Sequence, residues 1–104
     1  MDIERWDEER DGPFSEAALR RKLEEAGYRV SRYVYSPGTS FPDHTHSVEK
    51  VDAVASGRFR MTTADGEVVL ETGDRLRVPA GAVHSAEVVG DEPVVSLDAV
   101  RRQG

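Results

Sequence analysis

After Gly27 the hydrophobic period of this chain changes from 3.6 residues to 2, and turn-forming residues then interrupt it at short, regular intervals. Residues 28–36 are rich in aromatic and β-branched side chains and end at Pro37-Gly38. Segments 44–47 and 51–56 follow, the second closed by Gly57. Residues 58–63 alternate, with Phe59 and Met61 on one face and Arg58 and Arg60 on the other. Ala64-Asp65-Gly66 is a hairpin signal before the return strand 67–71, and Thr72-Gly73-Asp74 turns again. Segments 75–78, 83–89 and 94–100 complete the series. Short strands punctuated every 8–12 residues predict an all-β sandwich or barrel. No helical pattern intervenes between them, which argues against a parallel α/β sheet.

The one clear helix signal precedes this series. Ser15 is a good N-cap and Gly27 a good residue just past the C-terminus, with Leu19, Leu23 and Ala26 at helical spacing between them. Phe14 and Leu19 occupy the positions of a hydrophobic staple. The pattern predicts a helix over 15–26 that packs against the sheet. Residues 1–13 carry charge and little apolar content, so they read as a loose arm with Trp6 as its anchor. The 104 residues together make one small domain. Cysteine is absent, which excludes disulfides, thiolate metal sites and thiol nucleophiles. With 14 basic against 20 acidic residues, the chain lacks the charge of a general nucleic-acid binder. The N-terminal stretch has no apolar secretory core, and no apolar run approaches the roughly 20 residues of a membrane span. A cytoplasmic location is expected.

The only three histidines fall in two phrases, His44-Thr45-His46 and Pro79-Ala80-Gly81-Ala82-Val83-His84. Neutral imidazole is the commonest metal ligand. Histidines at i and i+2 on an extended chain point the same way, so a third from another strand completes a facial set of nitrogens. The competing reading is a group of hydrogen-bonded core histidines.

The first phrase follows Gly38 and runs on to Gly57, and the second follows Gly73. In this order and separation they resemble the two conserved motifs of the cupin superfamily, over about residues 28–100. The resemblance implies a small jelly-roll barrel carrying one N-terminal helix. It also implies that His44, His46 and His84 point inward around a divalent metal, with zinc, iron, nickel and manganese all suited to such donors. One position departs from the family pattern. Where cupins usually place a glutamate, four residues after the second histidine, this chain has Lys50. Glu49 sits one residue early, which turns it to the other face unless a bulge re-aims it. Asp52 shares the face of Lys50. Three readings follow: three histidines and water hold the metal, with Lys50 at the rim or paired with Asp52; Asp52 or Glu49 supplies an extra ligand; or Lys50 replaces the metal altogether. Phe59 and Met61 read as barrel core, with pocket walls as the alternative. Ala86 and Val88 share the face of His84. Asp43 reads as a turn residue.

By resemblance, the activity is that of a metal-dependent enzyme on a small polar metabolite, of dioxygenase, isomerase or lyase type. The alternative is a non-catalytic module that binds a small ligand or effector, metal-free with Lys50 in the pocket. Cupins usually pair, so a homodimer is expected, with residues 28–36 and the exposed-side tyrosines Tyr33 and Tyr35 covering a sheet edge.

Overall fold

A computed structural model describes residues 1–102. Along them run β1 (Asp2–Glu4), α1 (Glu8–Asp11), α2 (Glu16–Glu25), β2 (Tyr28–Tyr35), β3 (Ser40–His44), β4 (Lys50–Ser56), β5 (Phe59–Thr63), β6 (Gly66–Leu70), β7 (Arg75–Val78), β8 (His84–Val88) and β9 (Val94–Arg101). The strands form two antiparallel sheets, one ordered β1-β7-β4-β9-β2 and the other β3-β8-β5-β6.

Alternation along the strands builds two cores. Between the sheets, Val54, Leu76, Val78 and Val94 meet Phe59, Met61, Leu70, Ala86 and Val88. On the outer face of the five-stranded sheet, Leu19 and Leu23 of α2 pack with Val30, Val51, Ala53, Ala55, Leu97 and Ala99. The alanines leave room for the helix to settle on the sheet. Each buried leucine of α2 contributes about 1.5–3 kcal/mol relative to exposure. The helix begins as its sequence predicts: Ser15 Oγ accepts from the Ala18 N–H at 3.0 Å. It stops at Gly27, whose φ of 98° favours glycine.

The segment read as a loose arm is ordered. β1 pairs with β7 in the register Asp2↔Arg77, Ile3↔Leu76 and Glu4↔Arg75. Ion pairs Glu4–Arg75, Asp2–Arg77 and Arg5–Asp74 tie it to the sheet. A second, four-residue helix, α1, follows, so the chain has two helices before the barrel. Trp6 Nε1 donates to the Gly12 carbonyl at 2.9 Å, and its ring meets Phe14 edge-on at 5.4 Å. Gly73 makes this seat possible. Its φ is +88°, and a Cβ built there would lie 2.7 Å from Trp6 Cβ.

Two strand readings also shift. The segment expected at 44–47 begins earlier, as β3, and ends at His44. Its register with β8 breaks between Phe41 and His44, on either side of Pro42, which has no N–H for the ladder. Tyr35, expected on an exposed side, is instead half-buried against Phe41 and Phe59, with ring centroids 4.9 and 5.7 Å away. Tyr33 alone remains open, 47% exposed.

Candidate metal centre and pocket

The three histidines converge at one end of the barrel. His44 closes β3 and His84 opens β8, and the two are cross-strand partners. His46 lies past the end of β3, in an irregular connection. Its direction is therefore not set by strand alternation with His44. Its carbonyl accepts from the Gly81 N–H at 2.8 Å, which fastens one histidine phrase to the other. The ring centroids stand 4.2 Å (His44–His84), 4.9 Å (His44–His46) and 5.1 Å (His46–His84) apart. One ligand nitrogen from each ring lies within 4.8 Å of the other two.

Local backbone fixes the chemistry of two rings. His44 Nδ1 lies 2.7 Å from the Pro42 carbonyl, and His84 Nδ1 lies 2.9 Å from the Ala82 carbonyl. A carbonyl only accepts, so each Nδ1 carries a proton, and in the neutral ring that leaves the lone pair on Nε2. His84 is 3% exposed. Burial, then neighbouring His44 and Lys50, lowers its pKa against the raising effect of its backbone hydrogen bond. Burial, followed by the charges of Lys50, His84 and His44, lowers that of His46. Both stay neutral near pH 7. The donor set fits a divalent ion: three imidazole nitrogens on one side, leaving positions open on the other.

The pocket beside the histidines has a volume of about 180 Å³. Its walls on the four-stranded sheet are Phe41, Phe59, Met61 and Ala86; those on the five-stranded sheet are Tyr35, Lys50, Asp52 and Asp98. Phe59 and Met61 thus serve both readings, since they are buried core residues and also face the cavity. Lys50 and Asp52 face inward together. Glu49 does not join them. It accepts from Tyr28 Oη at 2.6 Å, from Arg77 at 2.8 Å and from Arg101 at 2.8 Å, at the far face of the sheet near α2. These donors hold its carboxyl down at about 2. Asp43 is exposed.

The partner of Lys50 is Asp98. Nζ donates to Asp98 Oδ2 at 2.8 Å, and the two side chains are 13% and 19% exposed. Asp98 also stands directly opposite Asp52 in the β4–β9 register. Burial, and then the facing Asp98 carboxylate, pushes Asp52 up to about 6. Burial, with Asp98 and Asp52 beyond it, raises Tyr35 to about 12. Asp98 was not selected from the sequence. The available signal was its parity: in Val94–Arg101 it shares the inward face with Val94 and Ser96, an unusual place for a charge.

The chain is similar to several known proteins. The chain is 37% identical over 81 residues to gentisate 1,2-dioxygenase of Ralstonia sp, an alignment spanning 77% of this chain and 23% of that protein. A DMSP lyase crystal structure superposes with a TM-score of 0.65 at 28% identity, covering 74% of this chain and 40% of the other. A cupin-2 domain protein from Shewanella frigidimarina superposes with a TM-score of 0.61 at 19% identity, covering 73% and 72%. The chain therefore spans less than half the length of the dioxygenase and the lyase. The cupin domain model matches residues 31–100, which run from within β2 to within β9 and include all three histidines, and the chain belongs to the cupin family.

Proposed function

We propose that this protein is a metal-binding cupin in which His44, His46 and His84 hold one divalent ion through Nε2, beside a pocket that takes a small polar metabolite. The observation that carries this reading is the meeting of three imidazoles, two of them with Nδ1 committed to backbone carbonyls. Zinc, iron, nickel or manganese suits such a site. When bound, the ion supplies Lewis acidity toward an oxygen of the metabolite. The chain's own residues prepare the site. The carbonyls of Pro42 and Ala82 orient two rings, and Tyr35, Phe41 and Phe59 restrict water. Asp98 balances the Lys50 ammonium, which otherwise would oppose a dication nearby. The reaction is of dioxygenase, isomerase or lyase type; similarity to a gentisate 1,2-dioxygenase and a DMSP lyase supports the first and last. The protein acts in the cytoplasm as a homodimer. Among the described residues no helix is long and apolar enough to cross a membrane. The dimer assignment draws on β2, an edge strand that exposes Tyr33 on one face and Val34 on the other, and light scattering after size exclusion tests it.

Elemental analysis of untagged protein grown with all four metals tests the site. About one ion per chain is expected, and none in His44→Ala or His84→Ala. An unmutated protein free of metal refutes the reading. Oxygen uptake with a panel of small acids then tests turnover. A second reading, a non-catalytic ligand-binding module, draws on Lys50 lining the pocket. Thermal shifts by ligands without turnover would favour it.

A further inference from the structure

The polar side of the pocket carries unspent hydrogen-bonding capacity of both kinds. Lys50 Nζ has three N–H donors, and one goes to Asp98 Oδ2 at 2.8 Å. Asp98 Oδ1 is buried and, among the described residues, has no partner. A buried acceptor left unsatisfied costs about 1–3 kcal/mol, so the site is built for something to occupy it. Asp52 stands opposite Asp98 on the next strand and faces the same space.

The chemistry of the occupant follows from this set. An ammonium has donors only and meets the Lys50 ammonium. A carboxylate has acceptors only and meets Asp98 and Asp52. A neutral group that both donates and accepts satisfies Asp98 Oδ1 and Lys50 together, and a hydroxyl is the smallest such group that an organic ligand carries. In the same cavity, the open side of the three histidines around a dication calls for an anionic oxygen. The volume limits the skeleton that carries both groups. An engineered cavity of about 150 Å³ holds benzene, so about 180 Å³ holds one ring or an equally small skeleton. Tyr35, Phe41 and Phe59 supply aromatic walls for it.

We propose that the Lys50–Asp98 pair is the specificity element of this pocket and selects a hydroxylated small carboxylic acid, hydroxyl against the pair and carboxylate toward the histidines. The proposal rests on the metal-binding reading above. Lys50 and Asp98 are positioning residues, not ligands of the ion.

The test is isothermal titration of the zinc-loaded protein with benzoate and with 2-, 3- and 4-hydroxybenzoate, its zinc content measured beforehand. At least one hydroxy isomer is expected to bind ten-fold or more tightly than benzoate. In the double variant Lys50→Met/Asp98→Leu, which removes both charges together, zinc content is expected to persist and the preference to fall to within two-fold. Equal binding of all four acids by the zinc-loaded protein overturns the proposal, as does binding of none. A preference that survives in the zinc-loaded double variant overturns it too. Each of those outcomes leaves the metal reading intact. Failure of the unmutated protein to take up zinc or any of the other three metals overturns both. The comparison of acids on the unmutated protein decides the matter even where the double variant does not fold.

Discussion

Exchange of Lys50 for glutamate probes the departure of this chain from its family's pattern at a single atom group. Lys50 Nζ and Asp98 Oδ2 are 2.8 Å apart and both side chains are largely buried. At an effective dielectric of about 20, two charges at that distance attract by about 6 kcal/mol before desolvation is subtracted. Breaking a buried pair costs about 3–5 kcal/mol in practice, because the abandoned partner stays uncompensated. Lys50→Glu also adds a carboxyl beside Asp98 and Asp52, which face each other across β4 and β9. That group takes up a proton in preference to full repulsion, which bounds the added cost. In chelator-treated buffer at pH 7, urea unfolding is therefore expected to show a loss of about 3–5 kcal/mol, a large part of a small domain's stability. Metal offsets part of this loss. A carboxylate at this position adds an anionic donor, so the metal dissociation constant, read by competition with a chelator, is expected to fall at least ten-fold. Free metal at about 100 times the dissociation constant returns about 2.7 kcal/mol. Lys50→Met is the control, since it breaks the pair without supplying an anionic donor. Two results refute the reasoning: a metal-free stability within 1 kcal/mol of the unmutated protein, or equal metal affinity in the Glu and Met variants.

Glu49 predicts an acid-limb effect at the outer face. Its carboxyl is held at about 2, against about 4.3 in an unfolded chain. The stability it contributes is complete above pH 4.3 and lost as pH falls through 2, so Glu49→Gln should flatten the unfolding curve in that window only. Asp52 runs the other way. Its carboxyl sits at about 6 in the fold, so its protonated form is favoured there, and that contribution fades as pH rises from 4 through 6. In metal-free protein Asp52→Asn should gain stability relative to the unmutated chain at pH 7 and little at pH 4, by urea denaturation. Gly73→Ala places a methyl against Trp6 and forces a positive φ. A loss of about 2–4 kcal/mol is expected, with a red-shifted Trp6 emission; an unchanged spectrum would contradict the seat described for Trp6.

The barrel was legible because its strands advertise themselves locally. Alternation from Tyr28 onward, and turn residues such as Asp65-Gly66 and Gly73-Asp74, depend on neighbours a few positions away. The Ser15 cap and the Gly27 stop depend on one helix turn. The histidine phrases were legible for the same reason. What escaped depends on partners far along the chain. A three-residue strand is too short to show a period, and Asp2–Glu4 takes its place through pairing with a strand more than 70 residues later and ion pairs to its arginines. Lys50 finds Asp98 at a separation of 48 residues. Tyr35 was misplaced because alternation gives two faces and does not say which one meets the second sheet. His46 converges through a loop contact to Gly81, which no strand rule contains.

The pocket is divided between two layers that share no ladder. His44 and His84 ride on one sheet, and Lys50, Asp52 and Asp98 on the other. The barrel therefore works as a caliper, with one chemical function on each jaw. Any molecule that touches both jaws becomes a rivet between the layers, and whatever it adds to the strength of the fold is a reading of how well its length matches the gap.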